Sequence, residues 1–344
     1  MELPERLTEI SLSTMHTAKG KPFQPYETGF LEPLAKETRE NESLNLNCKA
    51  LSTLLTPLTP IRDETPIIGI DVSGIKIGET EAGILCAVRG AIIWNQNRHY
   101  RYLRIGPFPF HITEENKKEL LTQLSRHSGL GLSSGSNFFP MADSVSKLCS
   151  SMERWIQTSL SYTAEESIIL WDGSLTTGVA GNPTGDVSNI LKIARRRGNN
   201  VLAFSKATTI RFLGWRITDL VAGHKAPCLF EVSELPLSIS SNMHLLARIY
   251  VAKLASGSHA FRLDIDRALV KEGDIISVEK LLGNDLVFQG YPESLRLAHI
   301  YSTFTANDVI GIQSFLTHEY RLRIVTRRNV RKALFGPYGT GYEE

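Results

Sequence analysis

The stretch Pro66-Ile67-Ile68-Gly69-Ile70-Asp71-Val72-Ser73-Gly74 constrains the fold more than any other part of the chain. Three isoleucines lead up to one aspartate, and a Ser-Gly pair follows. A run this apolar and β-branched reads as a buried strand ended by the Ser-Gly pair. Asp71 then stands at or just past the tip of a central strand, where an unpaired carboxylate is costly to bury. A metal ion, or a substrate held by one, accounts for it. Ser167-Ile168-Ile169-Leu170-Trp171-Asp172-Gly173-Ser174-Leu175 has the same grammar. Asp beside Gly or Ser is also an ordinary turn signal, so either run alone reads as a turn. Two such strands, each delivering an aspartate at its C-terminal end, predict one shared site.

With 344 residues, the chain can hold one large domain or two ordinary ones. Its 42% apolar and 22% charged residues are those of a soluble globular protein. A net charge of +2 excludes no class of partner. Cys48, Cys86, Cys149 and Cys228 are far apart and form no CxxC pair, which excludes a zinc knuckle and fits reduced thiols in the cytoplasm. No run of about 18 apolar residues predicts a membrane span, and Met1–Arg6 carries no signal-peptide core.

Residues 1–65 are polar and punctuated by proline, and read as an N-terminal arm with helical stretches at Pro33–Glu40 and Leu44–Leu55. The arm packs on the core or on a partner. From Ile67 the pattern is β: Ala82–Val88 and Ala91–Asn95 read as a hairpin about Arg89-Gly90, and His99–Ile105 as an edge strand. Helices are expected at Glu114–Arg126, capped by Thr113, and at Ala142–Ser161, with a Ser/Gly-rich loop over 127–140 between them. That loop has no GKS or GKT and is not a phosphate-binding Walker loop. The Asp172 strand, a helix at Asn189–Arg197 and a strand at Asn200–Phe204 follow, leading into Ser205-Lys206.

This order predicts an α/β fold with a ribonuclease-H-like mixed sheet flanked by helices: three antiparallel strands, then parallel crossovers. In that plan the Asp71 and Asp172 strands are neighbours. Further strands are expected at Cys228–Val232, Ala247–Val251 and Phe261–Leu263. Alternation in Arg262-Leu263-Asp264-Ile265-Asp266 reads as an exposed strand edge. Helices at Tyr291–His299, with proline at the first position, and at Ala306–Tyr320 close the pattern. One ribonuclease-H-like domain spans residues 66–330, and residues 331–344 form a C-terminal tail.

Oxygen ligands without a Cys or His cluster suit Mg²⁺ or Mn²⁺. Asp71 and Asp172 are the candidate ligands, with Glu153 of the Ala142–Ser161 helix a candidate third. Ions so held can bind the attacking water and the leaving oxygen of a phosphodiester. Lys206, at the end of its strand, can neutralise a phosphate. The plainer alternatives are a solvated helix carboxylate for Glu153 and a surface lysine for Lys206. Arg195-Arg196-Arg197, His99–Arg104 and Arg321–Lys332 are basic runs suited to phosphates, and Tyr100 and Tyr102 within the second suit base stacking. Solvated helix ends and edge strands are the bland reading of the same runs.

Ile70-Asp71-Val72-Ser73-Gly74, Trp171-Asp172-Gly173-Ser174-Leu175, Phe204-Ser205-Lys206 and Tyr291-Pro292-Glu293-Ser294-Leu295-Arg296-Leu297-Ala298-His299, in this order, resemble the NurA nucleases over about residues 66–330. The resemblance implies a manganese-dependent deoxyribonuclease, with Mg²⁺ as the alternative ion and a ribonuclease-H-like core. It implies 5′–3′ exonuclease and single-strand endonuclease activity. It also implies a ring-shaped homodimer acting with a HerA-type hexameric ATPase on single-stranded DNA and duplex ends in double-strand break repair. Residue by residue, it makes Asp71 and Asp172 the metal-binding aspartates, Glu153 the helix glutamate between them, and Tyr291 and His299 the late tyrosine and histidine of the site. The family's Asp-Gly-Gly or Asp-Gly-Ser is Asp71-Val72-Ser73-Gly74 here, a departure in the local turn. By residue type alone, His299 reads as a core or helix-face histidine. Two other classes compete. An actin-like or sugar-kinase ATPase needs a duplicated core and a glycine-rich adenosine motif, neither of which is found. A non-catalytic ring adaptor of a translocase is opposed by the intact Asp71, Asp172 and Lys206.

Overall fold

A computed structural model describes residues 3–26, 55–127, 140–177, 184–206, 208, 211–212, 215–222, 224–232, 244–257 and 259–325. Its frame is one eleven-stranded sheet. The strands are β1 (Pro22–Pro25), β2 (Leu55–Pro57), β3 (Ile67–Thr80), β4 (Gly83–Gln96), β5 (His99–Thr113), β6 (Ile168–Asp172), β7 (Asn200–Ser205), β8 (Cys228–Glu231), β9 (Ala247–Lys253), β10 (Phe261–Asp266) and β11 (Arg323–Ile324). The helices are α1 (Leu3–His16), α2 (Lys117–His127), α3 (Ser144–Thr163), α4 (Thr184–Arg196), α5 (Ile217–Ala222), α6 (Lys271–Asn284), α7 (Glu293–Ser302) and α8 (Ala306–Glu319).

The centre of the sheet runs β5–β4–β3–β6–β7. β4 is antiparallel to both β3 and β5, whereas β3, β6 and β7 are parallel. This is the expected meander followed by crossovers, with the two aspartate strands adjacent. Beyond β7, strands β10, β9, β8 and β2 extend the sheet with antiparallel pairing throughout. Helices cover both faces, as a sheet with parallel central strands requires. Ile68 and Ile70 point into one core with α3 and α4, and Ile67 into another with α6 and α7. No helix among the described residues is long and apolar enough to cross a membrane.

Several local expectations are corrected. The Ser-Gly pair does not end the first strand, and no turn forms there: β3 continues to Thr80 because β4 pairs with it along its length. Arg89-Gly90 is not a hairpin. β4 runs straight through it, the bulge lying opposite in β5, where Gly106 and Pro107 face the single Arg89; the turn lies at Asn97-Arg98, where both residues have positive φ (54° and 63°), as a two-residue type I′ loop requires. Arg89 is buried and paired with Asp308 at 3.0 Å. Arg262, Asp264 and Asp266 are interior, not an exposed edge: β10 lies between β7 and β9, and the charges compensate one another. Arg262 pairs with Asp264 at 2.8 Å, the Leu175 N–H donates to Asp264 at 2.9 Å, and Arg195 pairs with Asp266.

The N-terminal part contributes α1, packed against β5, and both β1 and β2 to the sheet. α1 was not anticipated. Leu55 is extended, in β2. The helical stretch at Pro33–Glu40, the rest of Leu44–Leu55, the loop core at 128–139 and the tail at 331–344 lie outside the described residues.

Candidate active site

The two-residue period of the strands decides which side chains meet. Ile67, Gly69 and Asp71 share one face of β3. Leu170 and Asp172 share the same face of β6, and Leu202, Phe204 and Lys206 follow it along and past β7; Ile67, Leu170, Leu202 and Phe204 all lie in the core beneath α6 and α7. β6 stays paired with β3 only from Ile67 to Ile70, and β1 takes up that edge of β3 from Gly78. Asp71 therefore sits where the sheet opens, inside the long strand but at the end of its parallel pairing. Asp172 ends its own strand. Gly173 follows with φ +118°, a conformation that favours glycine, and its N–H donates to Phe204 O at 2.8 Å.

Above this opening lies α7. Pro292 occupies its N-cap position and Tyr291 precedes it. The helix approaches β3 closely because Gly69 has no side chain: a Cβ there would stand 2.4 Å from Ser294 O. Its last turn brings His299 Nδ1 to 3.3 Å from Asp71 Oδ2, and the Ser302 hydroxyl donates to the same oxygen. Ser73 Oγ is 2.9 Å from Ser302 Oγ and 3.5 Å from Asp71 Oδ2. Lys206 Nζ pairs with Asp172 Oδ2 at 2.7 Å. Ligand atoms of Asp71, Asp172 and His299 all lie within 4.8 Å of one another, a spacing that one or two divalent ions can bridge.

Burial pushes the Asp71 carboxyl up, but hydrogen bonds from His299 and Ser302 and the nearby Lys206 outweigh it and hold the group below the usual carboxylate range. Asp172 lies above that range. Burial raises it, Lys206 opposes, and the Asp71 charge adds to the rise. Two close carboxylates thus divide into one favoured as the anion and one that resists ionisation. Glu153 comes from α3, in the opposite layer. It is not among the three groups within 4.8 Å, and its Oε1 accepts from Gln157 at 2.9 Å. Burial, against the neighbouring Arg154 and with the charges of Asp71 and Asp172, pushes it up to about 7.

Tyr291 belongs to both core and site. Its ring packs against Phe204 and Phe261, with centroids 6.0 and 5.1 Å away, and Lys206 Nζ lies 6.0 Å from its centroid. Its hydroxyl is buried without a hydrogen bond of ordinary geometry, and burial beside Asp172 and Asp71 raises its pKa well above the usual value. A buried hydroxyl left over beside paired carboxylates fits a cavity built for another polar group. The donor set, two carboxylates and an imidazole, fits Mn²⁺ or Mg²⁺.

Asp71, Asp172, Lys206, Tyr291 and His299 therefore lie about one opening, and Glu153 stands in the layer on the other side of the sheet. Ser302 was missed, since a serine near a helix end has no signal apart from its neighbours in space, and Ser73 was read only as a strand terminator. Of the basic runs, Arg195 and Arg197 are engaged with Asp266 and Glu165. Tyr100 donates its hydroxyl to the buried Asp285 at 2.7 Å and so serves the fold.

The NurA domain family model matches residues 65–302, more than half of the chain. The crystal structure of the NurA nuclease from Sulfolobus solfataricus superposes with a TM-score of 0.50 at 16% identity, covering 78% of this chain and 89% of that one. A second NurA crystal structure (TM-score 0.41, 10% identity, 73% and 87% covered) and an endonuclease V from Bacillus subtilis (0.35, 11%, 78% and 90%) are more distant. None of the curated proteins matches. On the family model, which begins just before the first aspartate strand and ends at Ser302, the chain belongs to the NurA family.

Proposed function

We propose that this protein is a metal-dependent deoxyribonuclease that hydrolyses phosphodiester bonds at DNA ends. The observation that carries the reading is the convergence of Asp71, Asp172 and His299 within 4.8 Å at the opening between β3 and β6. Asp71 and Asp172 would hold Mn²⁺, or Mg²⁺ in its place, with His299 beside them and Glu153 facing them from the other layer. Such an ion supplies an activated water and neutralises charge on the phosphate.

The chain's own residues do the rest. Ser302 and Ser73 fix Asp71 Oδ2 and so orient the carboxylate. Lys206 balances Asp172 and lies where it can meet phosphate charge. His299 turns Nδ1–H to Asp71, which leaves the Nε2 lone pair to accept a proton or to hold the ion. Glu153, pushed up to about 7, can take or give a proton near neutral pH. Tyr291 Oη is placed to donate to a bound oxygen.

By family membership, the enzyme works as a homodimer beneath a HerA-type hexameric translocase and resects ends in double-strand break repair. It combines 5′–3′ exonuclease and single-strand endonuclease action. The test is cleavage of end-labelled linear DNA. Mn²⁺ or Mg²⁺ should support it and excess EDTA should stop it, with Ca²⁺ giving binding but little cleavage. Full cleavage in EDTA overturns the metal mechanism, and a protein that binds metal and DNA but never cleaves is the ring adaptor instead.

A further inference from the structure

Tyr102 is 59% exposed. It stacks on Tyr301 of α7, with ring centroids 4.4 Å apart and planes 10° from parallel. The register ties this pair to the site. Tyr102 lies opposite Ile93, which lies opposite Gly69; Arg104 lies opposite Ala91, which lies opposite Asp71. Directly opposed residues share a face, so Tyr102 and Arg104 project on the same side of the sheet as Asp71. Arg104 is level with Asp71, two strands away, or about 10 Å.

The helix makes the same link. His299 and Tyr301 are two positions apart in the last turn of α7, so they leave opposite flanks, roughly 200° apart. One flank faces Asp71 and the other stacks on Tyr102. About a helix diameter, ~10–12 Å, separates the two, close to three stacked nucleotides at ~3.4 Å each. Arg104 is exposed on the same face of the same strand and has no acidic partner among the described residues. An open aromatic face with an unpaired cation beside it is how sequence-tolerant single-strand sites are built.

We infer that the Tyr102–Tyr301 pair is a stacking platform for a base of single-stranded DNA, about three nucleotides from the bond cut at Asp71 and Asp172. Arg104 contacts the backbone between them. The inference rests on the nuclease reading and names where its substrate strand runs.

The test is fluorescence anisotropy with a labelled single-stranded oligothymidine in EDTA, which removes cleavage, alongside an oligonucleotide of the same length made of abasic sites. Wild type should prefer the strand with bases. Tyr102→Ala should weaken binding to that strand by about 5-fold or more, the loss of one base–aromatic stack, and should bind the abasic strand as wild type does. Tyr102→Phe should bind both as wild type does, and Arg104→Ala should weaken both alike. Unchanged binding by Tyr102→Ala overturns the inference. So does a fall in melting temperature alone, which makes the pair internal packing, or a change in sedimentation alone, which makes it an interface between copies. If wild type binds neither strand, the DNA reading itself falls.

Discussion

Replacing Gly69 by alanine puts one methyl group between β3 and α7. The new Cβ would stand 2.4 Å from Ser294 O, 2.6 Å from Ser294 C and 2.9 Å from Leu295 N, all backbone atoms of the first turn of α7. Ordinary contact begins near 3.4 Å, so the turn must lift by about 1 Å, and no rotamer change can absorb it. Overpacking of this kind costs about 1–3 kcal/mol, a fall in melting temperature of roughly 1–4 °C for a chain of this length. The same lift reaches His299 and Ser302, five and eight residues further along one rigid helix, and loosens both from Asp71. A misplacement near 1 Å at a reacting centre costs about 100-fold in rate. The assay pairs a thermal melt with Mn²⁺ affinity by calorimetry and cleavage rate well below the melting point. The reasoning predicts losses in all three. A lowered melting temperature with wild-type metal affinity and rate would show that α7 does not position the site. An unchanged melting temperature would show that the helix does not sit on Gly69.

Other consequences follow from the same contacts. His299→Ala should lower cleavage by roughly 100-fold with the melting temperature nearly unchanged, because the side chain is 41% exposed; lost stability with retained specific activity would make it a packing residue. Without metal, Asp172→Asn should raise the melting temperature and Asp71→Asn should lower it, since the fold disfavours the first charge and favours the second; equal shifts would refute that division. His111 is buried between threonine hydroxyls, with Nδ1 2.6 Å from Thr17 Oγ1 and Nε2 2.9 Å from Thr80 Oγ1, and burial, with Lys21 nearby, pushes it down to about 4. The unfolded chain then takes up the proton first as pH falls from about 6.5. Stability should therefore fall between roughly pH 6.5 and 4, by at most about 3 kcal/mol, and His111→Gln should flatten that part of a melt-versus-pH series.

The strands that carry Asp71 and Asp172 were legible because buried parallel strands are written as unbroken apolar runs, and the order of elements made those two adjacent. Lys206 was legible for the same reason, at the end of the next strand. What escaped the sequence reading was set by tertiary contact. Arg89-Gly90 has the composition of a turn, yet β3 and β5 hold it extended between them. Arg262, Asp264 and Asp266 alternate as an edge strand does, and only the neighbours on both sides make them buried and mutually compensating. Ser302 became recognisable once α7 was laid over Gly69. Tyr100 and Tyr102 look alike in sequence, but one is drawn to Asp285 and the other is left open.

The most direct test of the central claim is the cleavage rate of end-labelled linear DNA in Mn²⁺ by purified Asp71→Asn and Asp172→Asn proteins, each first checked to be folded. The account predicts no measurable cleavage by either, because neither remaining carboxylate can hold the ion alone. Wild-type cleavage by either variant would contradict it.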